Sequence, residues 1–192
     1  MFPDSATGGN KALVRLGGRP LIAHIVESLS AQTPHIIVNA NADAGCFAFL
    51  GLPVIPDAQP DQGPLAGLLA AMDWTLRSAP GATAIVSVST DTPFLPPDLV
   101  NRLSQVAVNE RPAIAASLER LHPVIGLWPL TLRDALEQSL SAQRRSVENF
   151  AKHHDAIAVP FTLRTMGSRA VDPFFNANTP EELAYAEEVL AG

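Results

Sequence analysis

The chain has 192 residues, 47% of them hydrophobic and 17% charged, enough to bury the core of one ordinary domain; this excludes a disordered or fibrous chain. Thirteen Lys plus Arg against nineteen Asp plus Glu give a formal charge of −6, which argues against general nucleic-acid binding, because phosphate backbones select clustered basic residues. The single cysteine, Cys46, excludes an internal disulfide and any multi-thiolate metal site, and no apolar run approaches the roughly 18 to 20 residues of a membrane span.

The amino terminus, Met1 to Thr7, carries neither a strand-like run nor a basic-then-apolar export pattern, so a cytoplasmic protein is expected. Ala12-Leu13-Val14 leads through Gly17-Gly18 to Pro20. From there Leu21, Ile22, Ile25, Val26 and Leu29 recur at helical spacing, with Pro20 suited to the first turn. His35 to Asn39 reads as a buried strand because Ile36, Ile37 and Val38 run together without polar alternation. A short strand at Pro53 to Ile55 follows and ends in Pro56-Asp57. After the Pro60-Asp61-Gln62-Gly63-Pro64 turn, Leu65, Leu68, Leu69 and Met72 form one apolar helical face that runs to about Trp74 or Leu76.

Ala84 to Ser89 is a third strand that stops at Thr90-Asp91-Thr92-Pro93, and Pro96-Pro97-Asp98 precedes a helix over Leu99 to Val106. Strands are expected at Ala113 to Ser117, Pro123 to Trp128 and Ala156 to Phe161, and helices at Leu130 to Ser141 and Ser146 to His153. In the last helix Thr179 is a candidate N-cap, Pro180 the first helical residue, and Glu182 the acid three positions after the cap. Alternating strands and helices predict one α/β domain over residues 1–192, a three-layer fold with a mostly parallel sheet. Ligands of such sheets bind at the carboxyl ends of strands, which ranks Asn39, Asn41, Asp57 and Asp91 above other polar residues.

Asp91 offers a carboxylate where a buried strand breaks, suited to Mg²⁺, which takes one or two protein carboxylates plus phosphate oxygens and water. A turn-initiating Asp before Pro93 is the bland alternative. Lys11 follows Gly8-Gly9 and could set a point charge on a phosphate, although no Walker or dinucleotide glycine pattern is present and a surface lysine is the commoner case. Gly63-Pro64-Leu65-Ala66-Gly67 starts a helix whose unpaired N–H groups suit an anion or a flat ring, or is simply a glycine-proline helix start. Asn176 and Asn178 suit either ligand reading or capping. Arg144 and Arg145 suit an anion clamp or a solvated helix face. The histidines show no catalytic pattern and neither GxSxG nor HExxH occurs, which leaves metal-assisted phosphoryl or nucleotidyl transfer compatible.

Eight segments in order resemble the molybdenum cofactor guanylyltransferase family: Gly8 to Leu13, Gly18 to Leu21, Asn39 to Asn41, Pro56-Asp57, Gly63 to Gly67, Asp91 to Pro96, His122 to Trp128, and Phe174 to Leu183. The resemblance runs from Gly8 to the carboxyl end. It implies a Rossmann-like nucleotidyltransferase that joins GMP from GTP to a molybdopterin-type cofactor, releasing pyrophosphate with Mg²⁺. On the same resemblance Gly9, Lys11, Asn41, Asp57, Gly63, Pro64, Leu65, Gly67 and Asp91 bind GTP. Lys11 and Asp91 are catalytic and Asp91 holds Mg²⁺. Asn176, Asn178 and Arg145 face the pterin cofactor. The Gly63–Gly67 loop favours the guanylyl over the cytidylyl branch. Transient contact with molybdoenzymes or their chaperones is a further implication, with neither nucleic acid nor membrane as partner.

The family pattern starts with an apolar strand and a loop of the form Leu-Ala-Gly-Gly-x-Ser-x-Arg-Met, and Met1 to Thr7 stands in its place. Seven residues containing Pro3 and Asp4 are too few for both strand and loop. The fold is therefore expected to lack its first strand, leaving the strands at 36–39 and 84–89 apart by roughly twice the 4.8 Å strand spacing, or re-paired. Other readings are a cytidylyl or sugar-phosphate nucleotidyltransferase, and an inactive relative that binds the cofactor or a partner.

Overall fold

Runs of β-branched and aliphatic residues bounded by Gly, Pro, Asn and Asp become the strands, and the stretches with helical apolar spacing become the helices. The computed structural model describes residues 10–57, 59, 62–107 and 110–192. A 3₁₀ turn over Lys11–Leu13 leads into a hairpin, β1 (Arg15–Leu16) and β2 (Arg19–Pro20), turned by Gly17 and Gly18 at φ +56° and +75°. Next come α1 (Leu21–Ser30), β3 (Val38–Asn39), a 3₁₀ segment over Ala44–Leu50, and β4 (Val54–Ile55). They are followed by α2 (Pro64–Ser78), β5 (Ala84–Ser87), α3 (Leu99–Val106), β6 (Ala113–Ser117) and β7 (Arg120–Pro129). A 3₁₀ turn at Leu130–Leu132 leads to α4 (Arg133–Ser141), α5 (Val147–His153) and β8 (Ile157–Pro160). The chain ends with the hairpin β9 (Arg164–Met166) and β10 (Arg169–Val171), and α6 (Pro180–Ala191).

The α/β character and three layers hold, because successive strand residues serve opposite faces. On one face Ala113, Ala115, Ile125 and Leu127 pack with Ile25 and Leu29 of α1 and Leu99 and Leu103 of α3. On the other, Ile114 and Trp128 pack with Leu65, Leu69 and Met72 of α2, Leu136 and Leu140 of α4, and Phe150 of α5.

The strand directions bear out the mostly parallel expectation with one exception, β7. The four-stranded sheet has the order β5-β7-β6-β8, in which β5, β6 and β8 point the same way and β7 alone is reversed, antiparallel to both neighbours. The cause is local: Leu118 and Glu119, at φ +47° and +61°, form a two-residue hairpin turn, so β7 returns directly beside β6 with no crossover helix.

β3 and β4 form a separate parallel pair, Val38 beside Val54 and Asn39 beside Ile55. Among the described residues no strand pairs with the second edge of β3 or of β5. Ile36, Ile37 and Val38 on one side and Ala84 to Val88 on the other line a common cavity of about 860 Å³, walled also by α1 and α2. The two strands are thus apart and have not re-paired. Met1 to Gly9, on which the expectation of a missing first strand and the role given to Gly9 rest, lie outside the described residues.

Candidate active site

Two groups of polar residues form at the carboxyl ends of β3, β4 and β5. In the first, Asn41 and Asp57 bond each other twice: Asn41 Nδ2 donates to Asp57 Oδ2 at 2.8 Å, and the Asp57 amide donates to Asn41 Oδ1 at 2.8 Å. Asn39 Nδ2 donates to the Ile55 carbonyl at 3.2 Å, so both amides after β3 are tied to the end of β4. The start of α2 lies against this pair. Gly63 precedes it at φ +72°, a left-handed conformation that favours glycine, and Pro64 takes the first helical position. A Cβ on Gly67 would stand 2.2 Å from Asn39 Oδ1 and 3.2 Å from Asp57 Oδ1, so a glycine is what lets helix and carboxylate approach.

In the second group Asp91 follows β5. The Ser89 hydroxyl donates to Asp91 Oδ1, and Thr92 Oγ1 donates to the Ser89 carbonyl at 2.8 Å, fixing the turn that presents the carboxylate. The Ala177 amide donates to the Asp91 carbonyl at 2.9 Å, which draws the segment Phe174–Asn178 across the end of the strand. Lys11 Nζ donates to Asn178 Oδ1 at 3.0 Å and completes the group from the other end of the chain. Thr179 and Glu182 anchor Asn178 from behind through a full capping box, and Glu182 Oε2 also accepts from the Asn178 amide at 2.7 Å.

The cavity between β3 and β5 runs between the two groups: Asn39, Pro64 and Gly67 beside the first group and Thr90, next to Asp91, line it. The structure therefore brings Lys11, Asp91 and Asn178 together, and Asn41, Asp57 and Gly67 together, from six separate stretches of sequence. Asn176 lies exposed on the same Phe174–Asn178 segment. Leu65 is fully buried against the core, so any contact it makes with a ligand comes from its backbone. Arg144 and Arg145 occupy the loop between α4 and α5, not the helix face that the sequence suggested.

Two residues escaped sequence reasoning. Arg164 on β9 donates from Nη1 to the carbonyls of Phe94 and Leu95, each at 2.7 Å, pinning the loop after Asp91; burial lowers its pKa from the ordinary arginine value. Gln62, beside Gly63, has its Oε1 buried with no hydrogen-bond partner among the described residues. Neither has a local sequence signal, since one partner is about seventy positions away and the other is a missing one.

Among the described residues no three His, Cys, Asp or Glu side chains converge into a metal cage. One hard carboxylate at Asp91 nevertheless fits a cation such as Mg²⁺, which keeps several waters and takes phosphate oxygens for its other positions. No helix of the described residues is long and apolar enough to cross a membrane.

Residues 5–169 match the model of the MobA-like NTP transferase domain. A molybdenum cofactor guanylyltransferase of Bradyrhizobium sp. (strain ORS 278) is 43% identical over 188 residues, 96% of this chain and 86% of that protein. Molybdopterin-guanine dinucleotide biosynthesis protein A of Archaeoglobus fulgidus superposes with a TM-score of 0.71 at 21% identity, covering 97% of this chain and 93% of that one. The 4-diphosphocytidyl-2C-methyl-D-erythritol synthase of Anaerococcus prevotii superposes at 0.70 with 11% identity, covering 98% and 93%, so the fold by itself does not select a base. With its sequence matched over most of its length and two polar groups gathered at the carboxyl ends of its strands, the chain belongs to the MobA-like NTP transferase family.

Proposed function

We propose that the chain transfers GMP from GTP to a molybdopterin-type cofactor, forming the guanine dinucleotide and pyrophosphate. The observation that carries this reading is that one segment ties Asp91 and Lys11 together at the end of β5: the Ala177 amide bonds the Asp91 carbonyl, and the adjoining Asn178 side chain bonds the Lys11 ammonium. Kinship with relatives named molybdenum cofactor guanylyltransferase selects the nucleotide and the acceptor.

In this reading the Asn41–Asp57 pair and the start of α2, from Gly63 to Gly67, hold the guanine nucleotide. Asp57 can accept from the nucleotide's donors, and the unpaired N–H groups and positive end of α2 complement its negative groups. Asn176 and Asn178 take the cofactor side, with Arg145 as a further anion contact. Lys11 is bonded to Asn178. A phosphate oxygen of the cofactor attacks the α-phosphorus of GTP, a new P–O bond forms, the α–β bridge breaks, and pyrophosphate leaves with the electron pair. The attacking phosphate monoester is already ionised near neutral pH, so no side chain need remove a proton. Asp91 would hold Mg²⁺, which when bound offsets charge on the phosphate oxygens. Lys11 adds a fixed positive charge for the leaving group. The same reading places the protein in the cytoplasm, in transient contact with molybdoenzymes or their chaperones.

The test is pyrophosphate release with GTP, CTP and UTP, each offered molybdopterin cofactor or a sugar phosphate. Release is expected with GTP plus cofactor only. Equal or faster turnover of CTP, or turnover with sugar phosphates, assigns the chain to the other branches.

A further inference from the structure

Ser117 is a buried hydroxyl at the end of β6, 4% exposed, and the transfer reading gives it no task. Its Oγ lies 2.8 Å from His122 Nε2 on β7 and 2.7 Å from Asp172 Oδ1 just after β10. A carboxylate accepts only, so the single hydroxyl hydrogen goes to Asp172, and the hydroxyl oxygen must accept from the His122 Nε2–H. This fixes the histidine tautomer. It also distinguishes the trio from a hydrolytic triad, in which the imidazole stands between hydroxyl and carboxylate; here the hydroxyl stands in the middle and gains no nucleophilicity.

The same Asp172 Oδ1 accepts the Phe174 amide at 2.9 Å. Phe174, 2% exposed, has its ring 4.9 Å from the His122 ring and edge-on to Phe161 at 5.1 Å. Phe174 is the first residue of the strap that continues through Asn176 to Ala177, bonded to Asp91, and Asn178, bonded to Lys11. One end of the strap is therefore held at Asp91 and the other at the β6–β7 hairpin.

We propose that Ser117, His122 and Asp172 are positioning residues, a hydrogen-bonded clamp that sets the Phe174–Asn178 strap and thereby the acceptor side of the transfer site. The inference rests on the guanylyl-transfer reading for what the strap binds, and on geometry alone for what holds it. The clamp acts first on the acceptor side, because Asn176 and Asn178 lie on the strap while the Asn41–Asp57 pair and α2 share none of these bonds; through Ala177 and Asn178 it reaches Asp91 and Lys11 only indirectly.

The experiment compares the full chain with Ser117→Ala, His122→Leu and His122→Gln, the last keeping a donor near the Nε2 position. Steady-state kinetics should show KM for the molybdopterin cofactor raised about tenfold in Ser117→Ala and His122→Leu, the size of one lost hydrogen bond to a charged group. KM for GTP should rise clearly less than that for the cofactor, and His122→Gln should restore most of the loss. Amide hydrogen exchange over residues 174–178 should quicken by a similar factor while β6 and β7 keep their protection. An equal rise in both KM values, an unchanged cofactor KM, or unaltered exchange in the strap overturns the clamp. If the parent chain transfers no GMP, the guanylyl reading fails and the exchange measurement alone decides the clamp. If Ser117→Ala does not fold, His122→Leu against His122→Gln makes the same decision.

Discussion

Asp91 was legible as a single residue because a buried run of alternating Ile, Val and Ser ends on it, and only a carboxylate with a job or a turn belongs there. In the structure Ser89 and Thr92 build a turn around the carboxylate, while the Asp91 backbone carbonyl holds the strap. Replacing its carboxylate leaves that backbone bond in place. Asp91→Ala is therefore expected to lower GMP transfer by more than about a hundredfold, as loss of a charge-stabilising group does, with a melting temperature close to that of the parent. Parallel activity assays and thermal melts check this; unaltered turnover removes Asp91 from the mechanism. His122 shows the limit of residue-level reading. Its partner Ser117 is five positions away but Asp172 is fifty-five from Ser117, so the trio exists only once β10 is in place. Burial lowers the His122 pKa below the ordinary 6.5, against an opposing Asp172 and with a smaller push from Arg120; burial and the neighbouring His153 lower that of His154. In both cases the unfolded chain binds protons more readily than the folded one, so stability rises with pH through the window below 6.5 and is lost as pH falls. The melting temperature should drop between about pH 7 and pH 5, the range in which histidines titrate. His122→Gln should flatten part of that slope, and an equal slope in the variant contradicts the account.

Elements with strong local signals were read almost to the residue. The helix over Leu99–Val106 and the capping box at Thr179 came out as expected, because their stop and start chemistry is local. The hairpins β1–β2 and β9–β10 were missed, since strands of two or three residues carry too little alternation to register. The expected strand at 36–39 shrank to Val38–Asn39, the stretch bonded to β4, which is what strand status requires. Close approach of one element to another is invisible in sequence, and Gly67 is the clearest instance. Gly67→Ala forces a Cβ onto Asn39 Oδ1, which must swing away from Ile55, and presses on Asp57 Oδ1. Helix propensity alone would favour alanine by roughly 1 kcal/mol, so stability should change little while GTP affinity falls about tenfold or more. Calorimetric titration with GTP checks this; parental affinity in the variant separates the Asn41–Asp57 pair from nucleotide binding.

At the scale of the whole molecule, the class of fold and the shared direction of β5, β6 and β8 followed from alternating helices and strands, but the reversal of β7 did not. A two-residue turn at Leu118–Glu119 has no glycine or asparagine to announce it, so the antiparallel return of β7 stayed hidden. The separation of β3 from β5 came from comparing the chain with a family pattern, not from local propensity, and it leaves a cavity lined by Asn39 and Gly67 on one side and Thr90, beside Asp91, on the other. The account's central claim is that these two groups are the two halves of one transfer site. Incubation of the full chain with molybdopterin cofactor, Mg²⁺ and GTP labelled at the α-phosphorus tests it most directly. The account predicts label in the guanine dinucleotide, with one pyrophosphate released per label transferred. Unlabelled cofactor after GTP consumption, or label appearing only as free GMP, would contradict it.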